Sequence, residues 1–217
     1  MTLQEAIRAR HSVRAYQDKT IPLATESLLK GRIERLNKQY DLNMQYISPT
    51  NGVYDGIGSK LNGWSGVPAY IAVIGKDRKN LEEICGYAGE LFVLYAQTIG
   101  MNTCWAGIYK KKCVTAELCD DERLVITIAV GYGVNNGKPR KSKTVNDVTD
   151  ERDLPGWFRD GVEAALLAPT ALNHQKFKFY LNDNKPSVKA TGSSPFVKVD
   201  LGIVKCHFEL ASGHDLV

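Results

Sequence analysis

Two guanidinium groups, an imidazole and a hydroxyl stand within the run Arg10-His11-Ser12-Val13-Arg14. Alternation along an extended chain turns Ser12 and Arg14 to one face and Val13 and Ala15 to the other. Two cations and a hydroxyl with a common direction meet the needs of an anionic ligand, although Arg8, Arg10 and Arg14 could equally solvate the surface of a helix. A second polar constellation is Ala168-Pro169-Thr170-Ala171-Leu172-Asn173-His174-Gln175. Its proline stops a helix, and its hydroxyl, amides and carboxamide offer what the polar edge of a planar heterocycle needs. The alternative for this run is a helix-stop loop that holds no ligand.

The elements around these runs follow from apolar spacing. Thr2 caps a short helix with Glu5 three residues on, and Leu3, Ile7 and Arg10 recur at its period, which brings the arginines to its end. Ser27 to Tyr40 reads as an amphipathic helix, and Ser48 to Gly66, rich in Gly, Asn, Ser and Pro, as a long loop. Ala69 to Gly75 and Leu124 to Val130 are strands, and Leu81 to Gly100 is a core helix closed by Gly100. Lys138 to Asp153 is charged and aperiodic, a connector between a larger and a smaller half. Beyond it the pattern predicts a helix over Asp160 to Leu167, an alternating strand over Lys176 to Leu181, a strand at Phe196 to Val199 and a helix over Leu201 to Leu210.

A chain of 217 residues buries roughly 70% of its unfolded surface without disulfides or metal. The formal charge is +4, with basic runs at Lys110 to Lys112 and Lys138 to Lys143 that permit a nucleic-acid surface without requiring one. No apolar stretch reaches about 18 residues. The expectations are a cytoplasmic chain with no membrane partner and no nucleic-acid partner. The five cysteines form no Cys-x-x-Cys and the histidines no ligand pair, so reduced thiols and no metal site are expected. Gly131-Tyr-Gly133-Val-Asn-Asn-Gly137 has one residue too many for a dinucleotide fingerprint and leads into Lys-Pro-Arg-Lys rather than a helix, which argues against a Rossmann phosphate loop.

Arg10 to Arg14, followed by Ala-Tyr, resembles the Arg-Arg/His-Ser-x-Arg/Lys signature of the FMN-dependent nitroreductase family. Ala168 to Gln175 resembles the same family's Ala-Pro-Ser-x-x-Asn-x-Gln-Pro motif, with Lys176 in place of the final proline. Gly100-Met-Asn-Thr-Cys104-Trp105-Ala106-Gly107 is similar to its Gly-Leu-Gly-x-Cys-Trp-x-Gly segment, and Lys138-Pro139-Arg140 to its late Lys-x-Arg. The resemblance implies that Arg10, His11, Ser12, Arg14, Lys138 and Arg140 serve the phosphate, ribityl and pyrimidine end of FMN. It implies that Pro169, Thr170, Ala171 and Asn173 meet the ring, with Trp105, Ala106 and Gly107 at its reactive edge. It names no side chain as general acid or base.

The Asn motif departs from the family in position, since it ordinarily comes a helix after the arginine motif and here stands in the second half. Gly89, Leu91, Tyr95 and Gly100 repeat the spacing of Gly202, Val204, Phe208 and Gly213. Together these features resemble the subgroup with a pseudo-dimeric, internally duplicated chain, and imply a monomer in place of the usual homodimer. The expected fold is α+β and nitroreductase-like, a mixed or antiparallel sheet packed with helices, with pseudo-symmetric halves of residues 1–150 and 151–217. The implied activity passes hydride from NADH or NADPH through flavin N5 to a nitroaromatic, a quinone or a similar small acceptor. The rivals are a non-catalytic FMN-binding or sensory module and a basic nucleic-acid-binding protein.

Overall fold

The computed structural model describes residues 1–217. Its helices are α1 (Leu3–Ala9), α2 (Leu23–Tyr40), α3 (Ile57–Leu61), α4 (Leu81–Thr98), α5 (Val145–Val148), α6 (Gly156–Ala165) and α7 (Val197–Ser212). Its strands are β1 (Gln45–Ile47), β2 (Ala69–Lys76), β3 (Asn102–Ala106), β4 (Glu122–Gly131), β5 (Phe177–Asn182) and β6 (Lys185–Ala190). The chain divides into two compact units. One comprises Met1–Ala9, Glu82–Leu91 and Arg140–Val217, and the other Arg10–Leu81 and Phe92–Pro139. This is an α+β architecture with an antiparallel sheet packed by helices. No helix is long and apolar enough to cross a membrane.

The unit of Arg10–Leu81 and Phe92–Pro139 is built on an antiparallel sheet in the order β1-β2-β4-β3. Strand β2 is buried along its length except at Lys76, as a continuous apolar run bounded by polar residues requires of a central strand. Strand β3 occupies the segment after Gly100 and pairs with β4 from Asn102↔Gly131 to Ala106↔Thr127. Gly100 takes φ +79° and Met101 N–H reaches back to Ala96 O at 2.9 Å, which ends α4 as its glycine predicts. The expected loop between Ser48 and Gly66 is interrupted by the single turn of α3.

The other unit packs α6 and α7 with a hairpin of β5 and β6. Phe179 stacks on Phe208 with ring centroids 5.0 Å apart, and Phe158 meets Phe208 edge-on at 5.6 Å. The hairpin turn is Asp183-Asn184, both residues at positive φ, which suits the two-residue turns that match strand twist. The first part of α4 lies against α7 in this unit through a reciprocal pair of glycines. A Cβ on Gly86 would stand 2.1 Å from Val199 O, and one on Gly202 would stand 1.9 Å from Glu83 O. Each glycine faces the carbonyl three residues before the other, so the helices cross as equivalents at this point. The crossing pairs Gly86 with Gly202, three residues away from the register that the Gly89 and Gly202 spacing suggests.

The strand expected at Phe196 to Val199 is not formed, since α7 begins at Val197. Val199, Ile203, Val204, Cys206 and Phe208 are all buried at helical spacing. Burial of that face outweighs the β preference of a short Val-Lys-Val run. Helix α1 carries its expected cap: Thr2 N–H donates to Glu5 Oε2 at 2.7 Å, and Glu5 N–H to Thr2 Oγ1 at 3.2 Å. The connector also holds structure of its own, α5, capped reciprocally by Thr144 and Asp147.

Candidate functional site

The predicted site residues fall into two sets, one in each unit. The arginine run leaves α1 as extended chain and is laced into the sheet unit by its backbone. Val13 N–H donates to Thr103 O, Ser65 N–H to Arg14 O and Tyr16 N–H to Ser65 O, each at 3.0 Å, and Ser12 bridges Thr103. Val13 points into the core and Arg14 outward, as alternation requires, but Tyr16 is buried too, so the alternation does not continue past Ala15. The Arg14 guanidinium lies 6.0 Å from the centroid of Trp64, which itself stacks on Tyr54 at 4.9 Å.

Strand β3 brings Cys104 to the same place. Burial pushes the Cys104 thiol up, while Arg14, a hydrogen bond from the Ser12 side chain and Arg10 act in the opposite direction. Arg10 is itself buried. Beyond β4, Gly137 packs so closely that a Cβ there would stand 2.6 Å from His11 Cβ, which sets Lys138 beside the arginine run. This unit thus gathers Arg10, His11, Ser12, Arg14 and Lys138 around β3, whose end passes from buried Ala106 to exposed Gly107.

In the helical unit the residues from Arg140 to Lys143 form a strap along the turn that carries the Asn motif. Arg140 Nη2 donates to Leu167 O and Ala168 O, carbonyls at the end of α6 where a cation is favoured. Ser142 Oγ donates to Leu166 O at 3.1 Å, and Asn173 Nδ2 to Lys141 O at 2.7 Å. Gln175 completes the strap. Its Oε1 accepts from Lys143 N–H at 2.8 Å, and its Nε2 donates to Ser142 Oγ at 3.0 Å and Leu166 O at 2.9 Å. The Lys143 ammonium donates to Gln175 O at 2.7 Å.

The turn so held is strained. Leu172, Asn173 and Gln175 have φ of +52°, +56° and +48°, a region that costs a non-glycine residue roughly 1–2 kcal/mol. Its backbone amides are largely satisfied within the unit, contrary to the expectation that they stand open to a ligand. Ala171 N–H donates to Asp200 Oδ1 and Oδ2 at 3.0 and 3.1 Å, Asn173 N–H to Thr170 O at 2.9 Å and Gln175 N–H to Thr170 Oγ1 at 3.1 Å. Burial pushes the Asp200 carboxyl up to about 6 against the opposing pull of the Ala171 N–H.

One polar atom of the turn remains unanswered. Asn173 Oδ1 is buried and accepts no hydrogen bond from the chain. Its identity as oxygen is fixed by the other end of the amide, because Lys141 O can only accept. A buried acceptor left in this state costs ~1–3 kcal/mol, which an N–H donor from a ligand would remove. Taken by itself, each set suits one part of FMN: the flavin ring carries an N–H for an acceptor such as Asn173 Oδ1, and the arginine run with Lys138 offers cations and a hydroxyl for phosphate. Arg140 differs, since its Nη2 is engaged by α6 carbonyls in the strap.

Sequence reasoning passed over Asp200, which has no local signature and reaches Ala171 only through the packing of α7. It also passed over the side-chain role of Gln175, although the residue stood within the motif. Its place within the motif, directly before the strand that begins at Lys176 in the sequence pattern, was the available signal.

A family model described as "Putative TM nitroreductase" matches residues 2–212. Among solved structures, a protein of Thermotoga maritima MSB8 described as a "putative nitroreductase" is 22% identical, covering 97% of this chain and 83% of that one at a TM-score of 0.65. A Desulfovibrio desulfuricans protein described in the same words and solved in complex with FMN is 19% identical over 71% of this chain and 99% of that one, with a TM-score of 0.55. A nitroreductase family protein from Streptococcus pneumoniae TIGR4 gives 14% identity, 70% and 100% coverage, and a TM-score of 0.55. None of the curated proteins matches this sequence.

Proposed function

Because the chain belongs to the nitroreductase family, we propose that it is an FMN-dependent oxidoreductase, with each residue set suited to one part of the cofactor. When bound, FMN would supply two-electron chemistry, taking hydride at N5 from NADH or NADPH and delivering reducing equivalents to a nitroaromatic, a quinone or a similar small acceptor. The observation that carries the reading is the buried, unanswered Asn173 Oδ1 in a turn strained and strapped to present it.

The chain's own part is to bind and orient. Arg10 and Arg14 with Lys138 neutralise phosphate, and the Ser12 hydroxyl adds a hydrogen bond. Asn173 Oδ1 accepts a ring N–H, with Pro169, Thr170 and Ala171 shaping that end. Gly107, free of a Cβ, admits close approach of backbone to the reactive edge beside Trp105 and Ala106. No side chain is assigned as general acid or base. A visible spectrum of the purified protein, before and after NADH under anaerobic conditions, tests the proposal. A yellow protein that bleaches is expected. One that stays yellow is a non-catalytic flavin binder, and a colourless chain that takes up no FMN and binds nucleic acid with steep salt dependence overturns the reading.

The same proposal makes one chain sufficient, because both residue sets occur once and in different parts of the sequence. Linkage within one chain gives them an effective concentration on the order of millimolar. Arg10→Ala and Asn173→Ala chains are therefore expected to stay defective when mixed. Recovery of activity in the mixture would establish sites shared between subunits.

A further inference from the structure

Helix α3 presents an apolar face that no part of the chain covers. Ile57 and Leu61, four residues apart and so on one side of the helix, are 82% and 84% exposed, and Ile108 beside them is 60% exposed. Ile108 lies against this helix, since a Cβ on Gly58, between Ile57 and Leu61 in the chain, would stand 3.6 Å from Ile108 Cγ2. Lysines rim the patch. Lys60 lies on the same helical turn, the Lys110 stem runs along Gly56 with its Cγ and Cε 3.6 and 3.7 Å from a Cβ there, and exposed Lys111 and Lys112 follow. Asp55, the acidic residue next to the helix, directs its carboxylate toward Gly52, where Oδ2 would stand 3.2 Å from a Cβ.

We propose that this face is a docking surface for an anionic lipid membrane, with Ile57, Leu61 and Ile108 entering the headgroup boundary and the lysines meeting anionic headgroups. Side chains more than four-fifths exposed stand out from the surface, which suits insertion into a soft interface. The surrounding charge is mostly positive, Lys60, Lys110, Lys111 and Lys112 against Asp55, and a lysine near an anionic leaflet is worth roughly fivefold in binding. A surface patch of this kind leaves no long apolar run, so the expectation of no membrane partner, drawn from the lack of one, does not bear on it. The surface goes beyond the flavin reading and holds whether or not the chain carries FMN.

The test is sedimentation of the full chain with vesicles of phosphatidylcholine alone and of phosphatidylcholine and phosphatidylglycerol in equal parts. Binding to the mixed vesicles is expected, weakened by high salt and at least about tenfold stronger than to phosphatidylcholine. Ile57→Ser/Leu61→Ser and Lys110→Glu/Lys112→Glu should each lose about tenfold or more in binding while keeping wild-type circular dichroism and flavin content. No binding to the mixed vesicles overturns the proposal, as does binding that both variants retain. A wild-type chain that forms dimers which Ile57→Ser/Leu61→Ser abolishes, with no vesicle binding, assigns the face to a second copy instead.

Discussion

Gln175→Ala tests whether the strap from Arg140 to Lys143 holds the Asn turn in place. The side chain is buried, and its loss removes the hydrogen bonds to Lys143 N–H, Ser142 Oγ and Leu166 O. At ~1 kcal/mol net for each bond the cost is about 3 kcal/mol. Leu166 O keeps Ser142 Oγ as a donor, so that carbonyl is not orphaned. Global stability of 5–15 kcal/mol, typical of a folded domain, leaves the variant folded. The turn, which carries Leu172, Asn173 and Gln175 at positive φ, should open far more often. About 3 kcal/mol corresponds to roughly a hundredfold faster hydrogen exchange at the amides of Lys143, Ala171, Asn173 and Gln175. Exchange measured by mass spectrometry on the flavin-free chain reads this without reference to activity. Lys143→Met, which loses only the ammonium bond to Gln175 O, should accelerate exchange by about tenfold. Exchange in Gln175→Ala within a factor of two of wild type would refute the strap.

Other outcomes follow from the same geometry. Gly202→Ala drives a Cβ to 1.9 Å from Glu83 O, a backbone atom that cannot rotate away, so α4 and α7 must separate. A loss of at least about 3 kcal/mol in urea unfolding is expected, and one below about 1 kcal/mol would show that the crossing yields easily. Asp200 binds its proton more tightly folded than unfolded, so its contribution to stability is fully present below pH 3.8 and is lost as the pH rises through about 6. Asp200→Asn should flatten that part of the stability profile, which urea midpoints across the window would measure. An unchanged slope would assign it to other groups. Asn173→Ala should weaken FMN by about three- to tenfold and shift the flavin potential, because a lost ring contact affects oxidised and reduced forms unequally. Equal potentials would make the Asn turn a structural device.

What the sequence revealed and what it hid divide along the range of the forces involved. The cap at Thr2 and Glu5, the continuous burial of Ala69 to Gly75 and the glycine stop of α4 depend on neighbours in the chain, and all were legible. Strands β1 and β6 were not, because a three-residue strand carries no period and the Lys-Pro-Ser-Val of β6 contains a proline, which argues against a strand, and buries only Pro186 and Val188. Val197 to Val199 misled for the opposite reason: its local preference is real, but the helix face formed with Ile203 and Phe208 buries more. The candidate site shows the same division. Its residue types were readable from two short motifs, whereas the grip on the turn comes from a strap more than twenty residues upstream and from a carboxylate on α7, and neither has a pattern within its own segment. The crossing of α4 and α7 adds a further step. Spacing alone paired Gly89 with Gly202, but steric contact pairs Gly86 with Gly202, since at these two positions each helix backbone reaches the other's carbonyl. A contact between two helices is therefore better sought where a side chain cannot fit than where residue types happen to agree.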